Sequence, residues 1–174
     1  MMEKLYITET FRKDDSDSDC HIQMFTQFPA SKIRSYHEIV VMLPFEPREY
    51  SAEVQDVKVL DHTVDYDPRI WGWTWRVETN SFKGGWLREV NLNCRLQDAW
   101  DPSSGVLKRR WMVPPDPVQT YYYTVRLPNS YKIKETYAHF LTDISQASDN
   151  EITFMKEHLE MGFKRFEFKL MYTR

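Results

Sequence analysis

The chain has 174 residues, of which 41% are hydrophobic, 28% charged and 15% aromatic, with a formal net charge of −3. That balance belongs to one globular domain, 1–174, and excludes fibrous and disordered chains, while only 5 glycines argue against collagen-like, linker-type and glycine-loop nucleotide-binding readings. No apolar stretch approaches the roughly 18 residues of a membrane helix, and residues 1–30 are acidic and polar, so neither a transmembrane segment nor a signal peptide is expected.

Residues 1–30 read as a partly mobile acidic segment. Within it, Asp14-Asp15-Ser16-Asp17-Ser18-Asp19 looks at first like a calcium loop. Counted from Asp15, however, the sixth position is Cys20 and the twelfth Thr26, where such a loop needs Gly and Glu. A solvated loop is expected instead, with Ser16 and Ser18 as candidate phosphorylation sites for an acid-directed kinase. Cys20 and Cys94 have no metal-type spacing and read as free thiols, which implies a reducing, intracellular compartment.

Next along the chain, Ala30–His37 reads as a short helix, and Glu38–Leu43 and Val54–Leu60 as strands bounded by Pro44, Pro47 and Pro68. Trp71, Trp73, Trp75 and Val77 then alternate with Gly72, Thr74, Arg76 and Glu78. This is the period of a half-buried strand, and it pairs as a hairpin with the alternating Val90, Leu92, Cys94 and Leu96. Strands follow over Val106–Val113, stopped by Pro114-Pro115-Asp116-Pro117, and over Tyr121–Leu127.

The period changes in the C-terminal quarter. Tyr137, Phe140, Leu141 and Ile144 form a helical stripe, Ser148-Asp149-Asn150-Glu151 matches a capping box ahead of Ile152, Met155 and Leu159, and Gly162 supplies a helix stop. Phe166, Phe168, Leu170 and Tyr172 alternate as a closing strand, with Glu167 and Lys169 on its other face. The expected fold is α+β: an antiparallel meander of five to seven strands, two C-terminal helices packed on one face, and a closing C-terminal strand.

Catalytic signatures are missing. His21, His37, His62, His139 and His158 show neither His-x-His nor HExxH spacing, and there is no G-x-S-x-G elbow, P-loop or dinucleotide fingerprint. Asp61, Asp65 and Asp67 around His62 would need to converge on one point to seat a metal or an acid/base pair, and a solvated loop is the simpler reading. No catalytic residue, metal or cofactor is assigned, and a non-enzymatic role is expected.

Charge is unevenly spread: residues 1–67 carry −7, residues 68–134 carry +6 and the remainder −2. Lys108, Arg109 and Arg110, with Arg88 and Arg95 on neighbouring strands, are the candidates for holding nucleic acid or another anionic surface. The plainer alternative is a solvated face that compensates the acidic first third. Trp71, Trp73 and Trp75 form either sheet core or a stacking platform for bases or other small ligands, and core is favoured because the opposite face looks wet. Trp86, Trp100 and Trp111, at predicted loop ends, are candidate interface residues.

Tyr121–Leu127, Tyr137-Ala138-His139-Phe140, and Phe154 through Phe163 leading into Phe166–Tyr172 resemble the strand, aromatic-bearing helix and helix-Gly-strand ending of rhabdovirus matrix proteins. The resemblance implies a non-enzymatic virion protein of the host cytoplasm. Such a protein self-associates, binds viral nucleoprotein or ribonucleoprotein, and contacts anionic membrane peripherally. It would place the electrostatic role on Lys108, Arg109 and Arg110 and self-contact on Trp111–Val113. The chain departs from that pattern in its acidic, not basic, opening and in Pro114-Pro115-Asp116-Pro117, which lacks the tyrosine of a Pro-Pro-x-Tyr motif. A single-stranded nucleic-acid or small-ligand binding module, and an accessory protein that docks to a host factor, remain open as alternatives.

Overall fold

The computed structural model describes residues 2–28, 36–80, 85–112, 117–139, 143–159 and 165–174, and all their regular structure is β. In chain order the strands are β1 (Met2–Phe11), β2 (Ser18–Gln27), β3 (Tyr36–Leu43), β4 (Pro47–Val54), β5 (Val59–Asp67), β6 (Gly72–Asn80), β7 (Leu87–Leu96), β8 (Val106–Met112), β9 (Val118–Arg126), β10 (Lys132–His139), β11 (Asp143–Ser148), β12 (Glu151–Leu159) and β13 (Arg165–Thr173). They form a seven-stranded sheet in the order β11-β12-β9-β1-β2-β7-β4 and two three-stranded sheets, β10-β13-β8 and β3-β6-β5.

The acidic opening segment is not peripheral. β1 pairs antiparallel with β2 and parallel with β9, so residues 2–27 supply the middle of the large sheet. Leu5, Ile7 and Phe11 of β1 and Cys20, Ile22 and Met24 of β2 are buried at period two, the alternation expected of strands with one face on a core. The run Asp14–Asp19 is held in place as well. The Arg95 guanidinium donates to Asp17 Oδ2 at 2.8 Å and to the Asp15 carboxylate, and Trp100 Nε1 donates to the Asp15 carbonyl at 2.6 Å.

The large sheet packs on β10-β13-β8 through aromatic rings. Tyr121 and Tyr123 of β9 and Phe154 of β12 face Phe166 and Phe168 of β13, with centroid separations of 5.2 Å for Tyr123–Phe168 and 4.7 Å for Phe154–Phe168. Trp111 joins them at 5.4 Å from Tyr123. Rings of this kind each bury about 150–250 Å² and pack edge-on or offset at such distances. In the third sheet Trp75 and Val77 are fully buried, and Trp75 lies 5.5 Å from Tyr50 of β4.

The two expected helices are absent, and an all-β fold replaces the α+β architecture. Residues 137–139 lie in β10, 143–148 in β11 and 151–159 in β12, whereas Phe140, Leu141 and Gly162 fall outside the described residues. The expected helical stripe does not form a buried face: Tyr137 is 69% and Ile144 47% exposed. Ile152 and Phe154 instead stand opposite Val125 and Tyr123 of β9, and this apolar row overrides the local i, i+3, i+4 spacing. The expected capping box is a hairpin turn. Asn150 Nδ2 donates to the Leu127 carbonyl at 2.7 Å, and the Ile133 amide donates to the Asp149 carbonyl at 2.7 Å, which ties the turn to the β9–β10 connection.

The single strand expected over Val54–Leu60 breaks at a turn between β4 and β5, and Asp61–Asp67, expected as a loop, is strand β5. Most of the short helix expected over Ala30–His37 lies outside the described residues, and its last two positions begin β3. Among the described residues no helix is long and apolar enough to cross a membrane.

Candidate binding cleft

A cleft of about 640 Å³ opens between the outer face of β10-β13-β8 and the β5–β6 turn, lined also by Leu43 at the end of β3 and by Pro44 and Phe45 after it. Its floor follows from strand register. Lys169 of β13 stands opposite Lys108 of β8 on one side and Tyr137 of β10 on the other. In the next row Glu167 stands between Arg110 and His139. Alternation sends Leu107, Trp111, Phe166, Phe168 and Leu170 inward, so these two polar rows face outward. Arg110 Nε donates to Glu167 Oε1 at 2.6 Å, which leaves Lys108 and Lys169 as side-by-side like charges, an unfavourable cross-strand pair unless an anion lies over them.

The opposite wall is the turn Asp67–Gly72. The Asp67 carboxylate accepts from the Arg69 amide and Nε at 2.9 Å and from Nη2 at 2.7 Å. Those bonds, the Arg69 side chain first, hold the Asp67 carboxyl down at about 2. Trp71 closes the turn at φ 52° with 78% of its surface exposed. A bulky residue in the left-handed region is a genuine outlier, and burial does not explain this one. Gly72 follows, where a Cβ would come within 2.7 Å of the Leu43 carbonyl oxygen. The close pass of β3 therefore requires glycine and fixes the turn against the cleft.

Beneath the floor lies a buried charge network. Glu9 is 0% and Arg109 4% exposed. Arg109 Nη2 donates to Glu9 Oε1 at 2.6 Å and Nε to Oε2 at 2.8 Å, Ser18 Oγ donates to Oε1 at 2.6 Å, and the Tyr123 hydroxyl donates to Oε2. The Arg109 guanidinium lies between the Phe11 ring at 5.0 Å and the Phe45 ring at 4.9 Å. Burial, then the Glu9 charge, pushes the Tyr123 hydroxyl well up, so it remains a donor.

The cationic candidates are thus dispersed. Lys108 and Arg110 reach the cleft floor, while Arg109 turns inward to Glu9. Arg95 is bound to Asp15 and Asp17, and Arg88 Nη1 donates to the Gln55 carbonyl at 2.7 Å. Of the indoles, Trp100 and Trp111 are buried and Trp86 is 70% exposed. The Trp71/Trp73/Trp75 row is not one surface, since β6 begins at Gly72 and only Trp75 is fully buried. Ser18 is 1% exposed and bonded to Glu9, so its hydroxyl is spent in the core, and Ser16 Oγ donates to Asp98 Oδ1 at 3.1 Å. Asp65 pairs with Arg76 and Asp67 with Arg69, and among the described residues no three His, Cys, Asp or Glu side chains converge to hold a metal.

Sequence reasoning missed Tyr137 as a cleft residue, because it was placed on a helix, and it weighed Trp71 as a stacking residue only together with Trp73 and Trp75 on one strand, where core was favoured. Lys169 was within reach: the alternation of Phe166, Phe168 and Leu170 already sets it on the opposite face. What could have exposed Trp71 is the turn signal Asp67-Pro68, separated from it only by Arg69 and Ile70.

Fold and cleft together define an all-β domain with an exposed cationic, aromatic-walled groove. No family model matches the chain, and no curated protein matches it in sequence. Solved structures do match in fold. Leukotriene A4 hydrolase from Saccharomyces cerevisiae superposes with TM-score 0.55 at 9% identity, over 97% of this chain and 28% of the other. A putative protease from Parabacteroides distasonis gives 0.53 at 8% identity, over 98% and 40%. An M1 zinc metallopeptidase from Deinococcus radiodurans gives 0.50 at 13% identity, over 97% and 41%. The chain spans less than half of each of these proteins, and at such identity the likeness concerns the fold alone.

Proposed function

We propose that this protein is a non-enzymatic structural component that acts by adhesion: it self-associates and engages a nucleocapsid, gripping the single-stranded RNA through the cleft. The observation that carries the reading is the pairing of Lys108 with Lys169 on an outward sheet face, flanked by the exposed rings of Tyr137 and Trp71. Adjacent cations answer phosphates, and exposed rings answer bases at about 1–3 kcal/mol per stacked base. A flat membrane surface suits the site less well, because Glu135 and Glu167 share this face and the chain is net acidic. The matrix-type role suggested by the resemblance is kept here as a manner of action only, since the described parts of segments 137–140 and 154–163 are strands.

The test is titration with a single-stranded oligouridine and, separately, with anionic phospholipid vesicles, read by tryptophan fluorescence and sedimentation. RNA should bind, a Trp71→Ala variant should lose most of the fluorescence change, and Lys108→Glu with Lys169→Glu should flatten the log–log salt dependence by about 1.4, at about 0.7 per phosphate released. Binding unchanged by all three substitutions would refute the reading, and preferential binding to vesicles would replace RNA by a membrane surface as the ligand.

A further inference from the structure

We infer that β11 is the surface through which a second copy of this chain docks, by antiparallel edge-to-edge pairing about a two-fold axis at Ser145. The inference rests on the self-association in the proposed function and assigns it a site. β11 is an end strand of the large sheet, bonded among the described residues to β12 alone. All six of its residues are exposed.

Four of the other five edges are guarded in the ways natural sheets guard them. β4 starts at Pro47, carries Arg48 and Glu49 and shifts register between Arg48 and Ser51. β10 carries Lys132, Lys134 and Glu135 with a register shift, and β8 carries Lys108, Arg109 and Arg110 in succession. β5 presents Asp61, Asp65 and Asp67; β3 has Glu38 as its one formal charge, but unlike β11 it has a buried row, Ile39, Val41 and Leu43. β11, Asp-Ile-Ser-Gln-Ala-Ser, has no proline or lysine, only one charge, and its irregularity falls at its far end, between Gln146 and Ser148.

A two-fold axis perpendicular to the sheet keeps like faces together, which restricts the partners to residues of the same parity. Centred on Ser145, Asp143 meets Ala147 of the second copy, Ile144 meets Gln146, and Ser145 meets itself. The two Asp143 carboxylates end up far apart, and serine, both donor and acceptor, is self-complementary at the axis. Ile144 stands opposite the fully buried Phe154 and so points to the core side of the sheet, yet it is 47% exposed because the core ends there. In this register the two Ile144 side chains are diagonal neighbours on that same side, about 7–8 Å apart, and each covers the other. An interface this small lies below the standard size and gives a weak, concentration-dependent dimer.

Because the dimer is weak, the test traps it covalently. Ser145→Cys, Ala147→Cys and Asp143→Cys are each oxidised with diamide, which takes up two electrons and two protons as two thiols form one disulfide, and non-reducing gels are read above the yield of the unsubstituted protein, whose Cys20 and Cys94 are buried. Ser145→Cys should crosslink, since directly opposed residues lie about 4.5–5.5 Å apart, within disulfide reach. Ala147→Cys alone should not, whereas its mixture with Asp143→Cys should. Adding Ile144→Lys should cut the Ser145→Cys yield by about fivefold, the upper end for one cross-strand contact. Failure of Ser145→Cys to crosslink, or equal yields at 145 and 147, would overturn the inference. The same crosslink in Lys108→Glu/Lys169→Glu protein, with RNA binding intact in reduced Ser145→Cys, separates this result from failure of the RNA reading.

Discussion

Replacing Arg109 by Met tests whether the Glu9 network is a true buried ion pair. Glu9 accepts five hydrogen bonds, three from Arg109, one from Ser18 and one from Tyr123, and the two side chains are 0% and 1% exposed. Arg109→Met keeps much of the side-chain volume but removes the counter-charge and three of the five hydrogen bonds. Breaking a buried pair in this way costs about 3–5 kcal/mol, and at about 2–4 °C per kcal/mol for a chain of this size the melting temperature should fall by about 6–20 °C.

Without its cation, Glu9 is left as an uncompensated buried charge. Glu9→Gln/Arg109→Met removes both charges and keeps an amide oxygen to accept from Ser18 and Tyr123; at pH 8 it should be more stable than Arg109→Met. Urea unfolding followed by near-ultraviolet circular dichroism at pH 8 measures both variants. A cost below about 1 kcal/mol for Arg109→Met, or a double variant less stable than the single one, would refute the reasoning.

Trp71→Gly should relieve a left-handed strain of about 1–2 kcal/mol against a glycine entropy cost of about 0.5–1 kcal/mol, so thermal unfolding should show a fold unchanged or slightly more stable while RNA binding is lost. The Asp67 carboxyl should titrate at about 2 by carboxyl-detected NMR; because its folded value is depressed, the support it gives the turn is present above the ordinary carboxylate range and fades as pH falls from about 4 to 2. Asp67→Asn should mimic that loss at neutral pH by changing the Trp71 emission. Cys20 and Cys94 are register partners, and the hydrogen bond to Cys94, then burial, raises the Cys20 thiol well above its ordinary value; both should resist iodoacetamide in the native protein at pH 8 and react in urea.

Much of the strand content was legible because it obeys period two with one apolar face, so β6, β7, β8, β9 and β13 fall near where they were expected. Their pairing was not legible: the expected hairpin of β6 with β7 does not form, since β6 lies between β3 and β5 in one sheet and β7 between β2 and β4 in another, and the expected antiparallel meander gives way to three sheets with β1 and β9 parallel. β1 escaped notice because its inward row, Leu5, Ile7, Glu9 and Phe11, is interrupted by a carboxylate whose counter-charge is 100 residues away, and no local pattern announces that pairing. The C-terminal quarter misled for a different reason. Its spacing satisfies both periods, and the choice was made by the apolar row of β9, which stands beside it only after the chain has folded. For the same reason Lys108 and Arg110 could be nominated as surface cations from their neighbours, but Arg109 could not be withdrawn from that set.

These facts tie the cleft to the core. Arg109 lies between Lys108 and Arg110 on β8, with its side chain on the opposite face, and its guanidinium stacks on Phe45, a residue of the cleft wall. The buried pair therefore fixes β8 from beneath at the point where its outward lysine meets Lys169. A groove that must hold two like charges side by side needs such an anchor, because the strands would otherwise relax apart. Substitution of Arg109 should accordingly weaken RNA binding even though Arg109 makes no outward contact, and by a larger factor than an exposed Arg110→Ala change, whose partner Glu167 is half-solvated. If Arg109→Met, shown to be folded by its near-ultraviolet circular dichroism, binds RNA as the unsubstituted protein does, the anchoring argument fails while the surface reading of Lys108 and Lys169 stands.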